Sequence, residues 1–154
     1  AAGTREQVGV RDPARLERFY VSAEKGVYKT DDGKNFRLIG GPKPATRISV
    51  DATGRLYATS WRGRDGGAWR YDGTTWTRLL NDTFIYEVAS DPKNPERIAL
   101  TTQDHPYRDA TAATGIYLSD DDGKSWHAAS DGLPLLRGET ITFAGATGLG
   151  KTWL

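Results

Sequence analysis

Ser119-Asp120-Asp121-Asp122-Gly123-Lys124-Ser125-Trp126 reads as a hairpin turn built to a fixed order of residues. An Asp carboxylate accepts hydrogen bonds from the backbone of its own turn, Gly supplies the positive φ of the reversal, and the aromatic ring closes the turn onto the strands beneath. The same order recurs at Lys29-Thr30-Asp31-Asp32-Gly33-Lys34-Asn35-Phe36, and Tyr71-Asp72-Gly73-Thr74-Thr75-Trp76 is a version one residue shorter. Three such turns in 154 residues mark a repeat protein. The turn-forming residues are read as Asp31, Gly33 and Phe36 in the first, Asp72, Gly73 and Trp76 in the second, and Ser119, Asp121, Gly123 and Trp126 in the third.

Aligning the chain on these turns brings further positions into line at about 40 residues per unit, the period of a propeller blade. Asp12-Pro13, Asp51-Ala52 and Asp91-Pro92 fall together, each ahead of an Arg-led β run starting at Arg18, Arg55 and Arg97. Gly26-Val27-Tyr28, Gly67-Ala68-Trp69 and Gly115-Ile116-Tyr117 then lead into the three turns. Each unit is therefore four short strands, a to d, in a meander. Strand a is expected at 8–10, 47–50 and 86–90, and strand d at 35–39, 75–80 and 125–130. No stretch shows a capped 3.6-residue period, so helix is expected to be nearly absent. The fold class is all-β: a single propeller segment over 1–154, with blades at about 8–39, 47–80 and 86–130 and a partial blade at 140–154 whose second strand spans 149–154.

Composition narrows the partners. Lys and Arg number 21 against 20 Asp and Glu, a net charge of +1, so nothing draws the chain as a whole to nucleic acid. No apolar run approaches the length of a membrane span. Cysteine is absent, which removes disulfides and thiolate chemistry, and methionine is absent too, so the sequence reads as a processed form or a piece of a longer protein. There is no Gly-rich phosphate loop and no His-Glu-x-x-His, and the acidic turns lack the spaced ligands of a calcium loop; no cofactor and no metal are expected.

With its Ser/Thr-x-Asp-x-Gly-x-Thr-Trp turns the chain resembles the Asp-box (bacterial neuraminidase repeat) β-propellers. These include sialidases, xyloglucan-degrading glycoside hydrolases, sortilin-type receptors and a photosystem II assembly factor. The resemblance covers essentially the whole chain as repeat architecture. It implies the C-terminal half of a ring of about seven blades, the missing blades coming from another chain or a longer precursor, in a secreted or periplasmic protein. Arg64-Asp65-Gly66-Gly67-Ala68-Trp69-Arg70 is similar to the Arg-Thr-Asp-x-Gly-Gly-Ala-Tyr-Arg-Trp stretch of the xyloglucan hydrolases, in which the Asp is a catalytic carboxylate. That makes Asp65 the catalytic candidate, although the Asp-to-Gly spacing is shorter here and the stretch lies in an interior repeat. The Arg-Ile-Pro motif of sialidases does not occur.

In a meander the a-to-b and c-to-d turns share one end of the blade, and the b-to-c and d-to-a connections share the other. The acidic turns thus sit away from the two long b-to-c loops, 61–66 and 103–114, where function is expected because the scaffold does not need their length. Trp61, His105 and Tyr107 offer flat faces for sugar rings, while Arg62, Arg64 and Arg108 offer guanidinium donors for carboxylates or hydroxyls. Asp104 beside His105 reads either as part of this site or as a structural hydrogen bond. Two functions stay open on these grounds: recognition or hydrolysis of a carbohydrate, and a non-catalytic scaffold that binds a protein partner.

Overall fold

The computed structural model describes residues 9–61, 64–81, 84–102 and 115–132, together with the backbone of 145–146 and 151–152. The first sheet is β1 (Gly9–Arg11), β2 (Phe19–Ala23), β3 (Gly26–Thr30) and β4 (Arg37–Gly40). The second is β5 (Arg47–Val50), β6 (Leu56–Ser60), β7 (Gly67–Tyr71) and β8 (Trp76–Leu80). The third is β9 (Ile85–Ser90), β10 (Ile98–Thr102), β11 (Ile116–Ser119) and β12 (His127–Ala128). Each is an antiparallel meander in sequence order. A hairpin of β13 (Gly145–Ala146) and β14 (Lys151–Thr152) follows, with Gly145 opposite Thr152. No helix occurs among the described residues. Strand β12 is shorter than the 125–130 expected, because Ser125 and its neighbours are held by the turn instead of the ladder.

The sheets stack face to face in order. Strand β5 packs on β1 and β2 on one side and on β9 on the other, and β9 also packs on β6 and β7. The period-2 alternation of β6 shows why: all five of its residues are buried, with Leu56 and Ala58 entering one core and Tyr57 the other. The first core joins Tyr20 and Val27 of the first sheet to Ile48 and Leu56 of the second. The second joins Tyr57 and Ala68 to Ile85, Val88, Ile98 and Leu100. Burying a side chain of the size of Leu56 contributes about 1.5–3 kcal/mol, so these seams hold the sheets together.

Each seam carries an aromatic latch. The Trp76 indole N–H donates to the Ile39 carbonyl (2.8 Å) of the preceding sheet, and the Trp126 indole donates to the Leu79 carbonyl (3.3 Å). A Cβ at Gly41, where φ is +93°, would come within 3.0 Å of the Trp76 ring, so glycine is required where that ring lands. The equivalent ring of the first sheet, Phe36, meets no other sheet among the described residues and is 49% exposed, and Leu38 is 48% exposed.

The structure revises the first acidic turn. Asp32, not Asp31, accepts the turn's backbone N–H groups, from Lys34 and Asn35 (both 2.8 Å), and takes further hydrogen bonds from the Thr30 hydroxyl (2.9 Å) and the Asn35 amide (2.7 Å). Asp31 instead pairs with Arg18 (2.6 Å) and Lys29 (3.2 Å). The Asp-x-Gly spacing of the third turn points to Asp31, but the interval to the aromatic decides. It is four residues from Asp32 to Phe36 and from Asp72 to Trp76, and five from Asp121 to Trp126. The extra residue is Asp122, held at φ 64°.

Candidate functional site

Trp61, Arg64 and Asp65 lie at the strand ends opposite the acidic turns, where β6 leaves its sheet and β7 enters. Trp61, half-buried, directly follows β6. Arg64 is exposed and Asp65 half-buried in the turn that returns to Gly67. Three neighbours fix that turn. The Arg78 guanidinium of β8 donates to the carbonyls of Arg64 (3.2 Å) and Gly66 while lying 5.2 Å from the centre of the Trp69 ring. The Trp69 indole N–H donates to the Asp65 carbonyl (2.9 Å). The Asp65 Oδ2 accepts the backbone N–H of Lys43 (3.0 Å), in the connection between the first two sheets. Among the described residues no donor reaches Oδ1. Arg62 and the 103–114 candidates, Asp104, His105, Tyr107 and Arg108, lie outside the described residues.

A second cluster at the same end was missed by the sequence reading. Arg47 opens β5 and Tyr86 lies at the start of β9, with the guanidinium 4.4 Å from the tyrosine ring centre and donating to its hydroxyl. The Thr59 hydroxyl donates to the Tyr86 carbonyl (3.0 Å), and Arg47, Ser49, Tyr57, Thr59 and Glu87 line a shallow cleft between the two inner strands. The meander rule contained this signal: the first residues of strand a share an end with the b-to-c loops, and in two sheets those residues are Arg and Tyr.

The carboxylates at the opposite end are occupied by their own turns. Asp121 takes hydrogen bonds from the Ser125 hydroxyl (2.6 Å) and N–H (2.9 Å), the Ser119 hydroxyl (2.8 Å) and the Lys124 N–H (3.1 Å), which hold its carboxyl far below the usual carboxylate range. Asp32 is held far down by the Asn35 and Lys34 amides, and Asp72 is lowered by the N–H groups of Thr75 (2.7 Å) and Thr74 (2.8 Å). Asp51, in the a-to-b turn, is buried. Burial pushes its carboxyl up, but the bonds from the Thr53 hydroxyl (2.6 Å) and from the Arg55 N–H and side chain (both 2.9 Å) outweigh it and leave the pKa lowered. Nearby, burial pushes the Tyr57 phenol up to about 12. Groups so tied are turn devices with little capacity left for a ligand. Among the described residues no cluster of His, Cys, Asp and Glu could hold a metal, and no helix is long and apolar enough to cross a membrane.

No protein-family model and no curated protein matches the chain. Solved structures do. The chain is similar to the GH74 enzyme of Niastella koreensis, with 22% identity and a TM-score of 0.60, over 77% of this chain and 21% of that one. It is similar to the same degree to the GH74 xyloglucanase of Xanthomonas campestris, with 22% identity and a TM-score of 0.59, over 77% of this chain and 20% of that one. The chain thus spans about a fifth of the length of these enzymes. The likeness is one of fold, and with three stacked four-stranded meanders the chain forms part of a β-propeller.

Proposed function

We propose that this chain is one arc of a secreted Asp-box β-propeller of about seven blades, comprising blades at 8–39, 47–80 and 86–130 and a partial blade at 140–154. The ring binds a carbohydrate chain at the end opposite the acidic turns and cleaves it as a glycoside hydrolase, with Asp65 as one of the two carboxylates. The observation that carries this reading is the Asp65 turn. Three of its carbonyls are held by Trp69 and Arg78 and one carboxylate oxygen is anchored on Lys43, in a connection that also carries Trp61 and the exposed Arg64. A rigid carboxylate in one connection with an aromatic and a guanidinium suits a sugar ring. The fold shared with a xyloglucanase supports the same substrate class. Glycoside hydrolysis needs a second carboxylate at roughly 5–10 Å, which the remainder of the ring supplies. The exposed Phe36 and Leu38 mark the face on which a further blade, from a longer precursor or another chain, packs.

Binding is tested by retardation of the chain in gels containing soluble xyloglucan, with melting temperature as the folding control. Trp61→Ala and Arg64→Ala each weaken binding by about ten- to a hundredfold, the value of one lost stacking or charge-assisted contact. Unchanged retardation in both variants removes the site. Capture of a protein partner without any glycan affinity favours the scaffold function instead. In the completed ring Asp65→Asn abolishes release of reducing ends, and retained turnover removes Asp65 from the catalytic pair.

A further inference from the structure

The three acidic turns differ in length, and the differences match the charges beneath them. Each sheet carries an Arg at the start of strand b: Arg18, Arg55 and Arg97. In the first sheet Arg18 and, from strand c, Lys29 are met by Asp31 of their own turn (2.6 and 3.2 Å). In the third sheet Arg97 is met by Asp120 of its own turn (2.7 Å). Asp31 and Asp120 each stand five residues after the glycine that opens strand c and immediately before the Asp that accepts the turn's backbone N–H groups. The second turn is one residue shorter, Tyr71 runs straight into Asp72, and that acid is missing. Among the described residues no ion pair therefore joins Arg55 or Arg70 to their own turn, although Asp51 holds one face of Arg55 (2.9 Å) and Asp72 lies within electrostatic range of Arg70.

The third turn makes up the deficit across the seam. Its extra residue, Asp122, places one oxygen on both guanidinium groups, on Arg55 at 3.0 Å and on Arg70. Its carbonyl accepts from Arg70 (3.3 Å), and its N–H donates to the Glu96 carbonyl (2.9 Å). To reach them it adopts φ 64°, a conformation that residues other than Gly, Asn and Asp avoid. Gly123 is drawn in with it: a Cβ there would lie 3.0 Å from Leu79 of the second sheet, whereas Gly33 and Gly73 face open space.

We propose that the missing acid of the second turn and the inserted acid of the third are one compensating change, which makes Asp122 the key that fixes the third blade on the second. A blade whose own turn holds its arginines offers no counter-charge to this key, and a turn without the insertion leaves Arg55 to Asp51 alone and takes from Arg70 its ion pair across the seam. The bonds to two guanidinium groups are charge-assisted and half-buried, so they persist in salt better than exposed pairs do.

Urea unfolding of the full chain tests this. Asp122→Gly keeps the left-handed backbone accessible and removes only the side chain. It raises the unfolding equilibrium constant by roughly ten- to a hundredfold, the range for stranding partly buried charges. Inserting one Asp between Tyr71 and Asp72, the arrangement of the first turn, restores most of that loss in the Asp122→Gly background. An Asp122→Gly variant as stable as the parent overturns the proposal, as does an insertion that folds yet restores nothing. Should the insertion fail to fold, the Arg70→Gln and Asp122→Asn pair decides: non-additive losses support the key, and fully additive losses refute it.

Discussion

The two ends of the strands use aspartate in opposite ways. At one end Asp32, Asp72 and Asp121 are wrapped by the N–H and hydroxyl groups of their own turns, and Asp51 is closed over by Thr53 and Arg55. At the other end Asp65 gives one oxygen to Lys43 and keeps the second, in a turn whose backbone is held by Trp69 and Arg78 rather than by its own carboxylate. A carboxylate that builds its turn cannot also serve a ligand, whereas one presented by a turn built from other groups can. The first end thus stabilises the fold, and the second is the end at which we propose binding.

Asp51→Ala gives the largest effect. The Asp51 side chain is 3% exposed, and removing it takes from Arg55 one of its two carboxylates and leaves the Thr53 and Arg55 backbone N–H groups without their acceptor, for a loss of roughly 3 kcal/mol in chemical denaturation. Acid titration follows. The carboxyls of Asp32, Asp51, Asp72 and Asp121 are all lowered on folding, so their contribution is complete above the unfolded aspartate value of about 3.9 and is lost as pH falls through the folded values. The melting temperature is thus level from neutral pH to about pH 5 and drops below about pH 4; a decline centred near neutrality contradicts this. Trp76→Phe keeps an aromatic in the seam but loses the bond to Ile39 and part of the ring surface against Gly41, a cost of about 1–2 kcal/mol. The smallest change is Asp65→Asn, whose amide oxygen still accepts from Lys43. It alters stability by less than about 0.5 kcal/mol, and a larger loss would return Asp65 to the class of turn-building carboxylates.

Much of the architecture was legible in the sequence because the fold is a repeat, and each unit corrects the reading of the others. Gly26 marks the start of strand c in the first sheet because a side chain there would collide with strand d, a Cβ sitting 2.5 Å from the Gly40 carbonyl oxygen, and Gly67, at φ 125°, marks it in the second. Repetition also misled. Asp31 and Asp32 both fit a spacing rule, and only the hydrogen bonds, set by the interval to Phe36, separate the turn-building residue from the one that pairs with Arg18. The seam contacts of Asp122 and the Arg47–Tyr86 stack were not legible, because they join residues 39 to 67 positions apart through the order in which sheets pile up. Asp65 was singled out by motif, but its anchoring on Lys43 depends on the path of the connection between sheets, which no local pattern encodes.

The most direct test of the division between the two ends is the affinity of three single variants for soluble xyloglucan, measured by calorimetry well below each melting temperature. The division predicts that Asp121→Asn melts lower than the parent yet binds as tightly, while Trp61→Ala and Arg64→Ala melt as the parent does and bind about ten- to a hundredfold more weakly. Weakened binding in Asp121→Asn with undiminished affinity in the other two would place the ligand at the acidic turns and contradict the assignment.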